Sequence, residues 1–177
     1  SASVYHCVDS IQDQPRMPSA LIERGERDLC ASVNVVLTTA PELQRRLEPL
    51  NPHTYFFGNV ADASHFHQAL ESDLPCPDDL ATVSSPRVLF VGALDAYKLD
   101  LVALTQLARK RPDWSFVLIG PIGEADPNTD VGALCSWSNV HWVGPRPYAE
   151  LPDWLAHADV ALLPLQLNSY TLSLIHI

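Results

Sequence analysis

Short apolar runs alternate with amphipathic stretches along this chain, and they do so in two separate series. Such alternation calls for βα units on a parallel sheet, because each amphipathic helix has to bury its apolar face against the strands it connects. The first series predicts strands over 4–8, 33–39 and 54–57, with helices over 18–31 and 41–47, the second opened by Pro41 in its first turn. The second series starts at 88–94, a run so nearly all apolar that both its faces must be covered. A helix over 99–110 follows, stopped by Pro112 and carrying Arg109, Lys110 and Arg111 where positive charge suits the helix dipole. Strands over 114–119, 140–143 and 160–163 then alternate with short helices over 131–137 and 152–158.

Residues 53–86 hold five acidic side chains and no Lys or Arg, and Pro75, Pro77 and Pro86 fall in the same stretch. The segment 61–86 therefore reads as a linker between the two series. A net charge of −10 has the wrong sign for nucleic acid, whereas 47% apolar and 18% charged residues fit a folded chain. No apolar run nears the ~20 residues of a membrane span, and no secretory leader is visible, so the expected compartment is the cytoplasm. Cys7, Cys30, Cys76 and Cys135 form no C-x-x-C pair, and His65 and His67 at i, i+2 point apart, so no metal site is expected. The chain opens on Ser1 rather than Met, which reads as an incomplete gene product.

In parallel α/β sheets, ligands sit beyond the carboxyl ends of the strands, where helix N-termini offer amides to anions. Here those ends are marked by Gly92, Gly120 and Gly144, which serve either a close approach to a ligand or a plain sharp turn. Lys98, at the start of the next helix, could meet a diphosphate or simply be solvated. Arg146 with Tyr148 could line a nucleobase or lie on the surface. Neither G-x-G-x-x-G nor G-x-x-x-x-G-K-[ST] is present, so no dinucleotide cofactor is expected.

The order of the pieces carries more. Val-Gly-Ala-Leu94, Arg111-Pro-Asp-Trp-Ser-Phe-Val-Leu-Ile-Gly-Pro121, Asn139-Val-His-Trp-Val-Gly144, Arg146-Pro-Tyr148, Asp159-Val-Ala-Leu-Leu-Pro164 and Asn168-Ser-Tyr-Thr171 together resemble the donor-binding domain of GT-B glycosyltransferases. The likeness is to the group 1, retaining, family-4-like enzymes of bacterial polysaccharide synthesis. Upstream, Tyr5-His-Cys-Val-Asp9 and the run from Ala31 to Ala40 look like the close of the acceptor-side domain. Asn59-Val-Ala-Asp62 is similar to the family's crossover, with Ala61 departing from its usual pattern. Ala93 stands where an arginine is frequent.

The resemblance implies an α/β fold of two Rossmann-like parallel-sheet halves, both incomplete. It implies residues 1–60 as the end of the acceptor-side domain, 61–86 as linker and 87–171 as the first half of the donor domain. It implies transfer of a sugar from a nucleotide-diphospho-sugar, as substrate and with no further cofactor or metal, to a glycan or lipid-linked acceptor. Donor-side candidates are Gly92, Lys98, Gly120, Gly144, Arg146, Tyr148, Asn168 and Thr171; His6 and Asp9 are acceptor-side candidates or strand-end structural residues. The inner membrane is the candidate place of peripheral attachment for the full-length protein. The family's catalytic glutamate would follow Thr171 and lies beyond the chain, so these residues alone are expected to be inactive. The alternative is a non-catalytic nucleotide-binding or interaction module on the same fold. Residues 172–177 depart from the family pattern and read as a translation of CTG TCT CTT ATA CAC ATC, which resembles a transposon-end sequencing adapter; they are expected to be foreign to the natural protein.

Overall fold

The computed structural model describes residues 2–71 and 73–174. They form two compact units: one runs up to Ala61 and adds the segment from Gln166 onward, and the other comprises Asp62–Leu165.

In the first unit, β1 (Val4–Cys7), β2 (Val35–Thr38) and β3 (Thr54–Phe56) form a parallel sheet in that order, with Val4 opposite Val35 and Val36 opposite Thr54. Helices α1 (Ser19–Ser32) and α2 (Pro41–Leu47) make the crossovers. Val36, Leu43, Leu47, Cys7 and Cys30 form the core. The burial of α1 is unusual. Its buried residues are Glu26 and Cys30, four apart on one face, while Leu21 is 69% exposed. Glu26 is the hub of a polar network. Its carboxylate accepts from both terminal nitrogens of Arg46, from the Tyr5 hydroxyl at 3.0 Å and from the Cys7 thiol at 3.5 Å.

Burial, with the negative charge of Glu26 adding to it, pushes the Cys7 thiol from an ordinary 9.0 up to about 11. Burial raises the Tyr5 hydroxyl as well. A raised acid favours the protonated group in the folded state, so its contribution is fully present below the unfolded value and disappears as pH climbs through the folded one. The first unit is therefore expected to lose stability as pH rises from about 9 towards 11. Thermal melts followed by circular dichroism check this, and Cys7→Ala should flatten the decline.

In the second unit the elements follow in the order α3 (Ala63–Glu71), α4 (Asp78–Ala81), β4 (Arg87–Val91), α5 (Leu101–Lys110), β5 (Ser115–Ile119), α6 (Gly132–Cys135), β6 (Val140–Gly144), α7 (Leu151–Ala156) and β7 (Val160–Ala161). The sheet is parallel in the order β6-β5-β4-β7. Side chains of β4 and β5 alternate between two cores, as a period of two requires. Val88, Phe90, Phe116 and Leu118 meet Leu104 and Ala108 of α5 on one face. Leu89, Val117 and Ile119 meet Leu80, Leu151 and Trp154 on the other. The expected α/β fold with two parallel sheets is thus present.

The segment 61–86 is more structured than a linker. It folds as α3 and α4 within the second unit, α3 packs on α7, and Leu80 and Val83 are buried under the sheet. Its acidic residues lie among these apolar anchors, and the charge count hid them. The segment from Gln166 likewise groups with the first unit, ending in the four-residue helix α8 (Ser169–Leu172). Of the hexapeptide 172–177, Leu172 closes α8 and the Ser173 hydroxyl accepts from the Ser10 amide at 3.0 Å, while 175–177 lie outside the described residues. No helix among the described residues is long and apolar enough to cross a membrane.

Candidate functional site

The carboxyl ends of β4, β5 and β6 lie side by side; Gly92 and Gly120 follow β4 and β5, Gly144 is the last residue of β6, and all three have positive φ. The Gly92 amide donates to the Ile119 carbonyl at 2.9 Å, and the Gly120 amide to the Gly144 carbonyl at 3.0 Å. At Gly120, φ is +143° and a Cβ would stand 2.0 Å from the Gly92 carbonyl oxygen, so the neighbouring backbone itself demands glycine there. Gly144 has φ +76° with open space around it.

Beyond these glycines the first two loops stay zipped together. The Leu94 amide donates to the Pro121 carbonyl at 2.8 Å, and the Gly123 amide returns to the Leu94 carbonyl at 3.0 Å. Asp95 fastens the join. It is fully buried, and its Oδ1 accepts from the amides of Ala125 and Asp126, both at 3.1 Å. Its Oδ2 faces Lys98 Nζ at 3.5 Å. Asp100 caps α5 by accepting from the Ala103 amide at 2.8 Å. Lys98 thus sits on the ledge, 24% exposed and ion-paired.

The remaining sequence candidates are placed differently. Arg146 pairs with Asp79, donates to the Val143 carbonyl at 2.9 Å and lies over the Trp154 ring at 5.0 Å. Tyr148 stacks on the His65 ring with centroids 4.4 Å apart, and its carbonyl accepts from His65 Nε2 at 2.9 Å. Both residues therefore hold the α3–α4 segment to the unit. Asn168 and Thr171 belong to the first unit, where they form a capping box on α8: Asn168 Oδ1 accepts from the Thr171 amide, and Thr171 Oγ1 accepts from the Asn168 amide. His6 is exposed on β1, and Asp9 follows that strand's carboxyl end. Among the described residues, no group of three or more His, Cys, Asp or Glu is placed to hold a metal.

Asp95 is the residue that reading the sequence missed. A single aspartate in a strand-end loop looks like a solvated turn residue. The available signal was its place between Leu94 and Ala96, an apolar setting for a charge that must then be paired.

Residues 85–176, just over half of the chain, match the family described as Glycosyl transferases group 1. TuaH of Bacillus subtilis (strain 168), named as a teichuronic acid biosynthesis glycosyltransferase, is 31% identical over 83 residues, which are 46% of this chain and 20% of TuaH. Among solved structures, Anabaena Alr3699/HepE in complex with UDP superposes with a TM-score of 0.66 at 18% identity, over 90% of this chain and 46% of that one. Sucrose-phosphate synthase from Thermosynechococcus elongatus gives 0.63 at 19% identity, over 94% and 45%. The chain therefore spans a little under half the length of these structures and a fifth of TuaH.

Proposed function

The chain belongs to the group 1 glycosyl transferases, and from that membership we propose that the complete protein transfers a sugar from a nucleotide-diphospho-sugar to an acceptor hydroxyl in glycan or polysaccharide synthesis. The observation that carries the reading is the ledge at the ends of β4, β5 and β6, which lies inside the matched stretch and holds Lys98. In this reading the diphosphate lies along Gly92, Gly120 and Gly144, where the chain turns out of the sheet. As the glycosidic bond breaks, the leaving nucleoside diphosphate gains negative charge, and the Lys98 ammonium stabilises it.

Arg146, Tyr148, Asn168 and Thr171 remain donor-side residues of the proposal, with Arg146 already paired to Asp79 and Asn168 and Thr171 already bonded to each other. His6 and Asp9 remain the acceptor-side residues of the proposal, and the two compact units, 1–61 with the segment from 166 onward and 62–165, its two domains. A glycan or lipid-linked acceptor, no nucleic acid, and cytoplasmic residence with peripheral attachment at the inner membrane complete the proposal.

The test is to incubate the complete protein with UDP- and GDP-sugars and candidate acceptors and to measure nucleoside diphosphate release. Acceptor-dependent release is expected with one nucleotide class. Tight binding without release would favour the second reading, a non-catalytic nucleotide-binding module, which the pairing of Lys98 with Asp95 makes worth separating.

A further inference from the structure

Asp95 contacts the ledge cation Lys98 at 3.5 Å, and Asp100 caps the helix that follows. Asp95 is fully buried, and among the described residues its Oδ2 has no hydrogen-bond partner and faces only the Lys98 ammonium at ion-pair distance, although Oδ1 has two. Holding the loops together needs only an acceptor at Oδ1, and the amide oxygen of an asparagine would serve equally well. The charge on Oδ2 is surplus to that task. A buried charge is costly to keep and acts strongly on its neighbours, so its effect is to be sought in what it does to Lys98.

We propose that Asp95 sets the affinity of the ledge for nucleoside diphosphates: its buried carboxylate offsets the charge of Lys98 and so limits how tightly an anion is held. The inference rests on the transferase reading and deepens it. A transferase must release the nucleoside diphosphate it creates, which is more negative than the diphosphate diester of the donor. A fully uncompensated cation would favour that product most of all. Asp95 acts here through Lys98 and through the local field, not by touching the ligand.

The sign of the effect separates this role from a scaffolding one. Asp95→Asn keeps the shape and the Oδ1 acceptor but removes the charge. In the complete protein, calorimetry is expected to show UDP bound about tenfold more tightly by the variant, equivalent to about 1.4 kcal/mol. Uridine, which lacks the phosphates, should bind both proteins equally. A scaffolding residue would give the opposite pattern, with both ligands weakened or unchanged. UDP binding that is unchanged or weaker in D95N overturns the proposal while leaving the transferase reading intact. A wild-type protein that binds no nucleotide at all overturns both. If D95N does not fold by circular dichroism, Asp95→Ser, which keeps an oxygen acceptor without the charge, carries the test, with tighter UDP binding and unchanged uridine binding expected and unchanged or weaker UDP binding overturning the proposal.

Discussion

Gly120→Val is expected to unfold the second unit at denaturant concentrations that leave the wild type intact, with a loss of at least about 3 kcal/mol. Two costs act together. At φ +143° a β-branched residue is strained before any contact is counted, and its Cβ would lie 2.0 Å from the Gly92 carbonyl oxygen and 2.7 Å from its carbon. Neither atom can move away, because the Gly92 amide is bonded to the Ile119 carbonyl and Gly120 itself to the Gly144 carbonyl. Relief would therefore mean parting β4 from β5 where the ledge begins. Gly144→Ala provides the control. Its φ of +76° carries strain but no neighbour lies within 4 Å, so about 1–2 kcal/mol is expected. Gly25→Ala, within α1 and in open space, should instead stabilise by about 0.5–1 kcal/mol. All four tryptophans, Trp114, Trp137, Trp142 and Trp154, belong to the second unit, so urea titration followed by their fluorescence reads it alone. A Gly120→Val loss no larger than that of Gly144→Ala would contradict the packing account.

Glu26→Ala should also be damaging in the first unit, at about 2–3 kcal/mol, because it leaves the partly buried Arg46 charge without its partner, at a cost below that of a fully buried one. Glu26 is only 8% exposed and accepts from both terminal nitrogens of the Arg46 guanidinium, one of which also reaches the Cys7 sulfur at 4.0 Å, while Arg46 Nε has no hydrogen-bond partner among the described residues. The Tyr5 hydroxyl loses its Glu26 acceptor in the same stroke, and the Cys7 thiol keeps only the Asp9 carbonyl. The double replacement Glu26→Leu with Arg46→Met removes both charges at once and should recover most of the loss, since a buried ion pair adds little over apolar residues of similar size. Far-ultraviolet circular dichroism in urea, with the rate of Cys7 alkylation in native buffer, measures both variants. A double variant no better than Glu26→Ala would show that the network contributes through something other than charge pairing.

The core strands were legible because β4 and β5 are buried on both faces, which leaves an uninterrupted apolar run that only a covered parallel strand explains. The start of α5 moved from residue 99 to Leu101 because Asp100 takes the cap, and β7 shrank to Val160–Ala161. Periodicity reports which face of an element is apolar but not which distant element covers it. For that reason α4 was hidden, although Leu80 and Val83 close one side of the sheet. The same limit applies to the site. The glycines and Lys98 were visible as strand-end residues, whereas the tasks of Arg146 and Tyr148 depend on Asp79 and His65, which lie 67 and 83 residues earlier. Asp95 was missed because its burial is produced by a loop some thirty residues away, through the amides of Ala125 and Asp126.

The central claim is that the ends of β4, β5 and β6 hold a nucleoside diphosphate, and amide-resolved NMR of the complete protein titrated with UDP tests it most directly. The account predicts saturable shifts concentrated at Gly92, Lys98, Gly120, Ala125, Asp126 and Gly144, and their loss from Lys98 and its neighbours in Lys98→Met. Shifts that saturate within residues 2–61 and leave those six amides unmoved would contradict it.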